Sequence, residues 1–443
     1  MRAIAPHTTS LNRRADREMA ELSILTPLSF CDNFFIYYAI TLKADDMKIH
    51  KRFAIGALLL AATSGLVIHA ASAQIAPPTV AVVADRQPTV PFELYRGNRI
   101  VLSGRINGTE TPMMLDSGAG VTTLDKAFAA RIGLKDGQKI EAQGVAGKQD
   151  AELYRDVTIE AGNLRLSKAT VVAIDLSQIE KAIGRPIPVV LGRELFVSSV
   201  VGLDFDRGEL TLAPAEGFAA PQGATEVKLK REGTLHFLPV SIGGLPPVEA
   251  AFDLGNGGAV SVSREYQDGQ PYFETLPFAI GLSGGVGGLH ETKRVTLPKV
   301  KMAGFEFSGV PAELGDTANG PYKGRANVGI QMFQAFKLTL DLGHDRMWLQ
   351  RSGKPAQFSR DRSGLFTMLE GDHFNILHVS PGSPAERAGL KKGDKLVAID
   401  GEAVGPGFFS GRQSGWARSA AGTTVKLTKS DGATVPLTLA DYF

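Results

Sequence analysis

One pattern occurs twice in this 443-residue chain at a constant spacing, and that spacing limits the folds open to the chain. Met-Leu-Asp-Ser-Gly at 114–118 aligns with Ala-Phe-Asp-Leu-Gly at 251–255, an offset of 137 residues. Further landmarks keep this offset: Leu191-Gly192 with Val328-Gly329, Phe196 with Phe333, Asp204 with Asp341, and Leu212 with Leu349. Self-similarity at a fixed period indicates copies of one structural unit. The sequence therefore predicts two similar units, at 90–217 and 224–352.

Both units are expected to consist mainly of strands. Short stretches with period-2 alternation, typical of strands with one buried face, occur around 157–159, 209–212 and 337–340. The 50 glycines and 24 prolines supply the many turns that short strands need. Helical patterns are confined to short segments, at 124–132, 193–197 and 330–335. We therefore expect a mainly β fold class.

Composition excludes several kinds of function. The net charge is only +2, and no cluster of Lys and Arg alternates with aromatic residues, so no nucleic-acid partner is expected. The single cysteine, Cys31, permits neither a disulfide framework nor a cysteine metal site. The sequence has no His-Glu-x-x-His motif of the kind found in zinc peptidases. We therefore expect chemistry without a metal or another cofactor.

The N-terminal region has the features of an export signal. Residues 47–73 begin with Met and basic residues, continue with an apolar run and end in Ala-Ser-Ala, which predicts a signal peptide cleaved before Gln74. Residues 1–46 are then expected to be a non-native or disordered extension, with Met47 as the true start. The proline-containing segment 74–89 is expected to be a linker. The mature protein would be secreted or periplasmic, in a bacterial cell envelope, with contact to the membrane only through the signal segment.

The motifs of the first unit resemble those of the retroviral-type aspartic proteases. The family's two motifs are apolar-apolar-Asp-Ser/Thr-Gly-Ala and apolar-Gly-Arg-Asp/Asn, and this chain has Met-Leu-Asp-Ser-Gly-Ala at 114–119 and Val-Leu-Gly-Arg-Glu at 190–194. The resemblance implies two tandem retropepsin-like β-barrel lobes in the bilobal arrangement of pepsin. Lobe 1 would be 90–217 and lobe 2 would be 224–352.

The same resemblance implies an aspartic endopeptidase that acts on polypeptides. Asp116 and Asp253 would share one proton and hold a water between them, because like charges this close cannot both ionise. One carboxylate would deprotonate the water while the other protonates the carbonyl oxygen, and the sequence does not say which does which. Gly118 and Gly255 would allow the tight turns, and the Ser117 hydroxyl would bond to the opposite lobe.

The second unit departs from the family pattern at three places. Leu254 has no hydroxyl, Asn256 stands where Ala or Ser is usual, and Ile-Gln at 330–331 replaces Arg-Asp/Asn. Half of the contacts between the lobes must therefore be rebuilt or lost. An alternative function follows, a catalytically inactive bilobal protein that binds extended peptides. The retained Asp253 and Gly255 favour the enzyme, whereas Leu254 and Asn256 favour the alternative.

Glycine-rich segments in both units are expected to form flaps over the substrate, or else plain surface hairpins. Gly144 and Gly147 align at the offset of 137 with Gly281 and Gly284, and Gly284 and Gly285 are the flap glycines expected in lobe 2. Residues 281–285 also match the Gly-x-Ser-x-Gly motif of serine hydrolases. That motif should be followed by a helix, but Gly-Val-Gly-Gly follows, which argues against a serine nucleophile at 283.

The C-terminal region resembles a PDZ domain, at 359–443. The resemblance rests on FNILHVSPGSPAERAGLKKGDKLVAIDG at 374–401, with its Ser-Pro-Ala turn, Ala-Gly-Leu and Ile-Asp-Gly hairpin. It implies a carboxylate-binding loop at Gly364, Leu365 and Phe366, and a helix at 413–420 beside the groove. Such domains bind peptide C-termini or internal extended segments by strand addition. The alternative is a PDZ domain that serves only to pack against the lobes.

Overall fold

The computed structural model of the protein describes residues 23–29, 34–41, 77–83, 85–144, 147–285, 288–315 and 323–443. The expected signal peptide at 47–73 lies outside these residues. The described residues contain thirty strands and six short α-helices, so the predicted mainly β fold class is confirmed. None of these helices is long and apolar enough to cross a membrane.

The first thirteen strands precede residue 217, and they are β1 (Ser23–Ser29), β2 (Phe34–Thr41), β3 (Thr79–Val82), β4 (Thr89–Tyr95), β5 (Arg99–Ile106), β6 (Thr109–Leu115), β7 (Thr123–Asp125), β8 (Gln138–Gly144), β9 (Gly147–Ala161), β10 (Leu164–Ile174), β11 (Val189–Leu191), β12 (Val200–Asp204) and β13 (Glu209–Ala213). The helices here are α1 (Lys126–Arg131), α2 (Ser177–Ile183) and α3 (Arg193–Ser198).

Eleven strands follow up to residue 351, and they are β14 (Thr225–Lys228), β15 (Lys230–Glu232), β16 (Leu235–Ile242), β17 (Val248–Asp253), β18 (Val260–Ser263), β19 (Phe278–Gly285), β20 (Gly288–Met302), β21 (Phe305–Gly315), β22 (Ala326–Gly329), β23 (Phe336–Asp341) and β24 (Arg346–Arg351). The helices are α4 (Arg264–Gln267) and α5 (Pro271–Glu274), with 3-10 turns at Ile330–Met332 and Leu342–His344.

The N-terminal ranges contain strands where the sequence gave no pattern for them. β1 and β2 pair antiparallel within the segment expected to be a disordered extension. β3 lies within the expected linker and pairs antiparallel with β10. Alternating apolar residues in Thr-Val-Ala-Val are enough for a strand when a neighbouring edge is available to pair with it.

The two units contain the same crossing of strands. β6 runs parallel to β11, with Met113 opposite Val189, and 137 residues later β17 runs parallel to β22, with Ala250 opposite Ala326. β11 also pairs antiparallel with β7, and β22 pairs antiparallel with β18. All residues of β11 and β22 are buried, as expected for strands enclosed on both faces. Asp116 directly follows β6, and Asp253 is the last residue of β17.

Six strands drawn from both units form a continuous antiparallel ladder in the order β4, β13, β12, β23, β24, β14. At its centre, Gly202 of β12 lies opposite Thr339 of β23. These two residues are themselves 137 apart in the sequence. The central pairing therefore maps onto itself when the two units are exchanged.

The glycine-rich hairpins do not keep the offset of 137. Gly144 pairs with Gly147 across the first turn and Gly285 pairs with Gly288 across the second, which places the turns 141 residues apart. The alignment of Gly144 with Gly281 is therefore wrong, because the segment from Asp253 to the second turn is four residues longer than the segment from Asp116 to the first. Gly281 lies inside β19, opposite Thr292.

The C-terminal strands are β25 (Leu365–Glu370), β26 (His373–Val379), β27 (Lys395–Ile399), β28 (Glu402–Ala403), β29 (Thr424–Lys429) and β30 (Thr434–Thr438). They form one sheet in the order β25, β26, β27, β29, β30, with β28 beside β27. The helix α6 (Pro384–Arg387) begins after Ser383, whose Oγ accepts the Glu386 N–H. A buried cluster that includes Phe374, Leu396 and Trp416 fills the space beneath the sheet.

The helix expected at 413–420 is absent from this described region. A single 3-10 turn, Trp416–Arg418, takes its place, after another at Phe408–Ser410. The segment Gln-Ser-Gly at 413–415 contains Gly and Ser, which weaken a helix nucleus, and Gly415 itself precedes the turn. The buried ring of Trp416 fixes the segment instead.

Candidate active site at two aspartate loops

The structure places Asp116 and Asp253 in two loops that face each other. Both side chains are fully buried. A Cβ atom added at Gly118 would lie 2.8 Å from Oδ1 of Asp253, and one added at Gly255 would collide with the Asp116 carboxyl group. Each carboxyl group therefore packs against the glycine of the opposite loop. Only glycine permits this approach, because any side chain would occupy the volume of the other aspartate.

Each carboxylate is held in the same way by its own loop. Oδ1 of Asp116 accepts the backbone N–H groups of Gly118 (2.8 Å) and Ala119 (3.1 Å). Oδ1 of Asp253 accepts those of Gly255 (3.0 Å) and Asn256 (3.1 Å). One oxygen of each carboxyl group is thus fixed by its own turn.

One hydrogen bond from a side chain joins the loops. Ser117 Oγ accepts the Leu254 N–H at 2.9 Å. The reciprocal bond cannot form, because Leu254 has no hydroxyl, and its side chain is buried in the apolar core. Leu254 therefore removes one of the two hydrogen bonds expected between the loops. The other, from the Leu254 N–H to Ser117 Oγ, is present.

The second loop contains a chain of amide hydrogen bonds that sequence reasoning missed. Asn256 Oδ1 accepts the Gly258 N–H (2.8 Å), and Asn256 Nδ2 donates to Asn327 Oδ1 (2.7 Å). Asn327 Nδ2 then donates to Asp253 Oδ2 (2.8 Å). One signal was present: Asn327 interrupts the apolar strand β22 at the position where Val190 stands in β11.

Glu194 supports the first loop from behind. Its carboxyl oxygens accept the Thr122 N–H (2.9 and 3.1 Å) and the Thr122 hydroxyl (2.9 Å). Burial raises the pKa of Glu194 from 4.5 to about 7, against the opposing effect of these hydrogen bonds. The equivalent in the second unit is Gln331, whose Nε2 donates to the Gly257 carbonyl and whose Oε1 accepts the Ser359 N–H.

The expected flap glycines lie at the ends of two long hairpins. Gly144 ends β8 and Gly147 begins β9, whereas Gly284 and Gly285 are the last residues of β19. Ser283 lies near the turn of this second hairpin, opposite His290, and its Oγ donates to Glu313 Oε2 (3.1 Å). A strand follows it, so the strand-turn-helix geometry of a serine nucleophile is not found at this position.

The predicted carboxylate loop of the C-terminal domain holds a carboxylate from the same chain. Oδ1 of Asp361 accepts the Ser363 N–H (3.2 Å) and hydroxyl (2.7 Å), and Oδ2 accepts the Gly364 N–H (2.8 Å). The Leu365 N–H donates to Ser363 Oγ. Gly364 has φ +81°, and a Cβ there would collide with Ser383. Tyr442 also donates to Asp361, and burial raises the pKa of Tyr442.

The C-terminal domain contacts both units. Its edge strand β25 contributes Met368 to a buried cluster with Ile179 and Ile183 of α2. His378 of β26 donates from Nε2 to the Ile280 carbonyl in β19 (3.0 Å). A cavity of about 150 Å³ lies at this junction, lined by residues that include Gly258, Gln331, Arg360, Leu365, Trp416 and Phe443.

Two protein families match separate parts of the chain. The family described as aspartyl protease matches residues 102–195, which include Asp116 and Glu194. The family described as PDZ domain matches residues 376–413. The chain contains a PDZ domain. The aspartyl protease match ends before Asp253, so it bears on the first unit alone.

Two of the similar proteins illustrate how far these similarities extend. A protein named "Putative serine protease HhoA", from Synechocystis, is 32% identical over 93 residues, which are 21% of this chain and 18% of that one. The chain thus covers less than a fifth of that relative. The crystal structure of basic 7S globulin from soybean aligns with 62% of this chain and 95% of its own, at 10% identity and a TM-score of 0.38. Together, the family matches support an aspartyl-protease-like segment at 102–195 and a PDZ domain at 376–413.

The described residues contain no group of three or more His, Cys, Asp or Glu side chains that could hold a metal ion.

Proposed function

We propose that the protein is an aspartic endopeptidase whose catalytic pair is Asp116 and Asp253. The observation that carries this proposal is the packing of each buried carboxyl group against the glycine of the opposite loop. Burying two carboxyl groups together is costly unless they share a proton, so a purely structural role gives no reason to keep both. The aspartyl protease match over 102–195 supports the role of Asp116.

The proposed reaction needs no group from outside the chain other than water. The ionised carboxylate takes a proton from the water as its oxygen bonds to the peptide carbonyl carbon, and the protonated carboxyl gives its proton to the carbonyl oxygen. As the C–N bond breaks, the carboxyl that took the water proton gives it to the leaving nitrogen, and a hydroxyl of the tetrahedral intermediate returns a proton to the other carboxylate. Gly118 and Gly255 allow the close approach, and the bond from Leu254 N–H to Ser117 Oγ holds the loops together.

We propose that residues 90–217 and 224–352 are two lobes joined by the six-stranded ladder. The pairing of Gly202 with Thr339 supports a two-fold relation between them. The hairpins β8–β9 and β19–β20, tipped by Gly144, Gly147, Gly284 and Gly285, would then be flaps over an extended polypeptide substrate.

The test of this proposal is cleavage of casein by the purified protein between pH 4 and 7, beside Asp116→Asn and Asp253→Asn. We expect both variants to lose activity by about 10²–10⁴-fold, the usual contribution of an acid–base group. Activity lost only in Asp116→Asn would make the second loop a scaffold. A serine-directed inhibitor is the control for a serine mechanism, in view of the HhoA similarity, and should leave cleavage unchanged.

Leu254 favours a second candidate, a bilobal protein that binds extended peptides without cleaving them, because it removes one of the bonds between the loops. This candidate expects the parent protein to bind an unfolded polypeptide and leave it intact at every pH. Mass spectrometry of the polypeptide after incubation distinguishes the two candidates directly.

We propose that the PDZ domain binds extended segments of the substrate without recognising a free C-terminal carboxylate. Asp361 already accepts hydrogen bonds from the backbone amides of Ser363 and Gly364, beside Leu365 and Phe366, so a terminal carboxylate would compete with it. Titration with one peptide in free-acid and C-terminally amidated forms tests this. Equal affinity is expected, and tighter binding of the free acid would contradict it.

We also propose that the protein is exported to the bacterial periplasm or medium after cleavage before Gln74. The proposal rests on the signal-like segment 47–73. N-terminal sequencing of the protein recovered from the periplasm and medium should begin at Gln74.

A further inference from the structure

The direction of one hydrogen-bond chain decides how the two aspartates differ. A backbone N–H can only donate, so the Asn256 atom that meets the Gly258 N–H is its oxygen. Asn256 must then present its amide nitrogen to Asn327, which accepts with its own oxygen. Asn327 is left with its amide nitrogen facing Asp253 Oδ2. The orientation of both amides is therefore fixed by the backbone, and the chain delivers an N–H donor to Asp253.

Asp253 consequently accepts hydrogen bonds on both of its oxygens. Oδ1 accepts two backbone N–H groups, from Gly255 and Asn256, and Oδ2 accepts the Asn327 amide. Donors aimed at a carboxyl group stabilise its ionised form, since the charge strengthens each bond. Asn327 is 1% exposed, so water does not compete for its amide.

The first loop lacks the corresponding amides. Asn327 aligns with Val190 and Asn256 aligns with Ala119, and both of these side chains are apolar and fully buried. Asp116 keeps the two backbone N–H bonds on Oδ1, from Gly118 and Ala119, and neither Val190 nor Ala119 offers Oδ2 a side-chain donor. The two carboxyl groups thus match at Oδ1, and the asparagine amide of the second loop adds a donor at Oδ2 of Asp253.

We infer that Asn327 assigns the roles within the pair: Asp253 is the ionised base and Asp116 carries the shared proton. This inference rests on the proposed function and deepens it. Asp253 takes a proton from water as the new C–O bond forms, and the carbonyl oxygen takes the proton of Asp116. As the C–N bond breaks, Asp253 gives its proton to the nitrogen, and a hydroxyl of the tetrahedral intermediate returns one to Asp116. Asn327 is a positioning residue, since it acts through Asp253.

The first test needs no substrate and compares the stability of Asp116→Asn and Asp253→Asn. An amide resembles a protonated carboxyl group, so Asp116→Asn should unfold at nearly the denaturant concentration of the parent at pH 6. Asp253→Asn must turn an NH₂ group toward either the backbone donors or the Asn327 amide, and should unfold at a clearly lower concentration. Equal midpoints, or a lower midpoint for Asp116→Asn, would overturn the assignment.

The second test replaces Asn327 with the residue of the first loop, Asn327→Val, with Asn256→Ala as the milder partner. Loss of the donor should raise the pH at which kcat/KM falls on the acid side by about one unit. Below that pH, kcat/KM should be about tenfold lower than in the parent. The unfolding midpoint should fall more at pH 7 than at pH 3, because the donor helps only the ionised Asp253. A loss equal at both pH values with an unmoved acid limb would show a merely structural Asn327.

The two tests remain informative if the proposed function fails. A parent protein that cleaves nothing would refute the peptidase, while the midpoints at pH 3 and 7 would still report which aspartate is ionised. If Asn327→Val does not fold, Asn256→Ala takes its place. This variant keeps the Asn327 amide but no longer fixes its orientation, so the pH profile of kcat/KM should shift in the same direction by a smaller amount. An Asn256→Ala protein with the parent's pH dependence would contradict the proposed hydrogen-bond chain.

Discussion

The two aspartate loops share their backbone geometry and differ in the side chains that support it. In the first loop a buried carboxyl group, Glu194, bonds to Thr122. In the second, neutral amides do the corresponding work, with Gln331 bonded to the Gly257 carbonyl and Asn256 bonded to Asn327. The turn amides that hold each aspartate are the same in both. The backbone of such a loop therefore tolerates a change of supporting chemistry, provided that every buried polar group finds a partner.

The comparison also shows which positions allow no change. Gly118 and Gly255 lie against the opposite carboxyl group, and this contact is present in both directions. Ser117 and Leu254 show the opposite case, since the bond from the Leu254 N–H to Ser117 Oγ has no hydroxyl counterpart in the second loop. The shared features are those fixed by excluded volume, and the variable ones are those that hydrogen bonding can satisfy in several ways.

The largest expected effect comes from the glycines. Gly255→Ala would drive a methyl group into the Asp116 carboxyl, and Gly118→Ala would approach Asp253 Oδ1 at 2.8 Å. A displacement of about 1 Å at reacting groups can cost about 10²-fold in rate, so we expect at least that loss in casein cleavage. Gly255→Ala should be the more severe. Gly405→Ala, where nothing lies within 4 Å of the added Cβ and φ is not positive, controls for a general effect of removing glycine.

Exchanging the charged and neutral supports should change the pH dependence of stability. The pKa of Glu194 is about 7 in the folded protein, above its ordinary 4.5, so its proton is retained longer in the folded than in the unfolded state. This contribution is fully present below about pH 4.5 and is lost as the pH rises through 7. Glu194→Gln should remove that loss and gain up to about 3 kcal/mol on the parent between pH 4 and 7, measured by urea unfolding.

The reverse exchange sharpens the same comparison. Gln331→Glu would place a carboxylate against the Gly257 carbonyl oxygen, where Nε2 now donates. We expect a loss of about 1–3 kcal/mol that is greater at pH 7 than at pH 4, because only the ionised form repels the carbonyl. Unfolding curves at the two pH values give the answer. A loss independent of pH would mean that packing, and not charge, distinguishes the two supports.

The smallest effect is expected from removing the hydrogen bond between Ser117 and Leu254. Ser117→Ala leaves the buried Leu254 N–H without its acceptor, which should cost about 1 kcal/mol or somewhat more in the free energy of unfolding. Ser117→Thr retains the hydroxyl and should stay close to the parent. If Ser117→Ala were as stable as Ser117→Thr, the bond from the Leu254 N–H to Ser117 Oγ would have no role in joining the loops.

Much of the fold could be predicted from local patterns. Alternating apolar residues and frequent glycines predicted a mainly β chain, and the segment 374–401 predicted the PDZ domain; both are confirmed. The helices expected at 124–132 and 193–197 correspond to α1 and α3. The helix expected at 413–420 was wrong because burial of the Trp416 ring fixes that segment in a 3-10 turn. The alignment of the hairpin glycines was wrong because glycines at matching positions do not reveal how many residues precede each turn.

The sequence by itself determined the repeat at an offset of 137, the aspartate in each copy, and the departures at Leu254 and Asn256, because these follow from residue types at a fixed spacing. Only the tertiary structure decided what replaces the missing contacts. The bond from Asn327 to Asp253 joins residues 74 apart and exists because β22 lies parallel to β17. Asp361 reaches its loop amides through a turn whose partners no pattern specified. Strand order and side-chain direction create such contacts, and a spacing along the chain does not encode them.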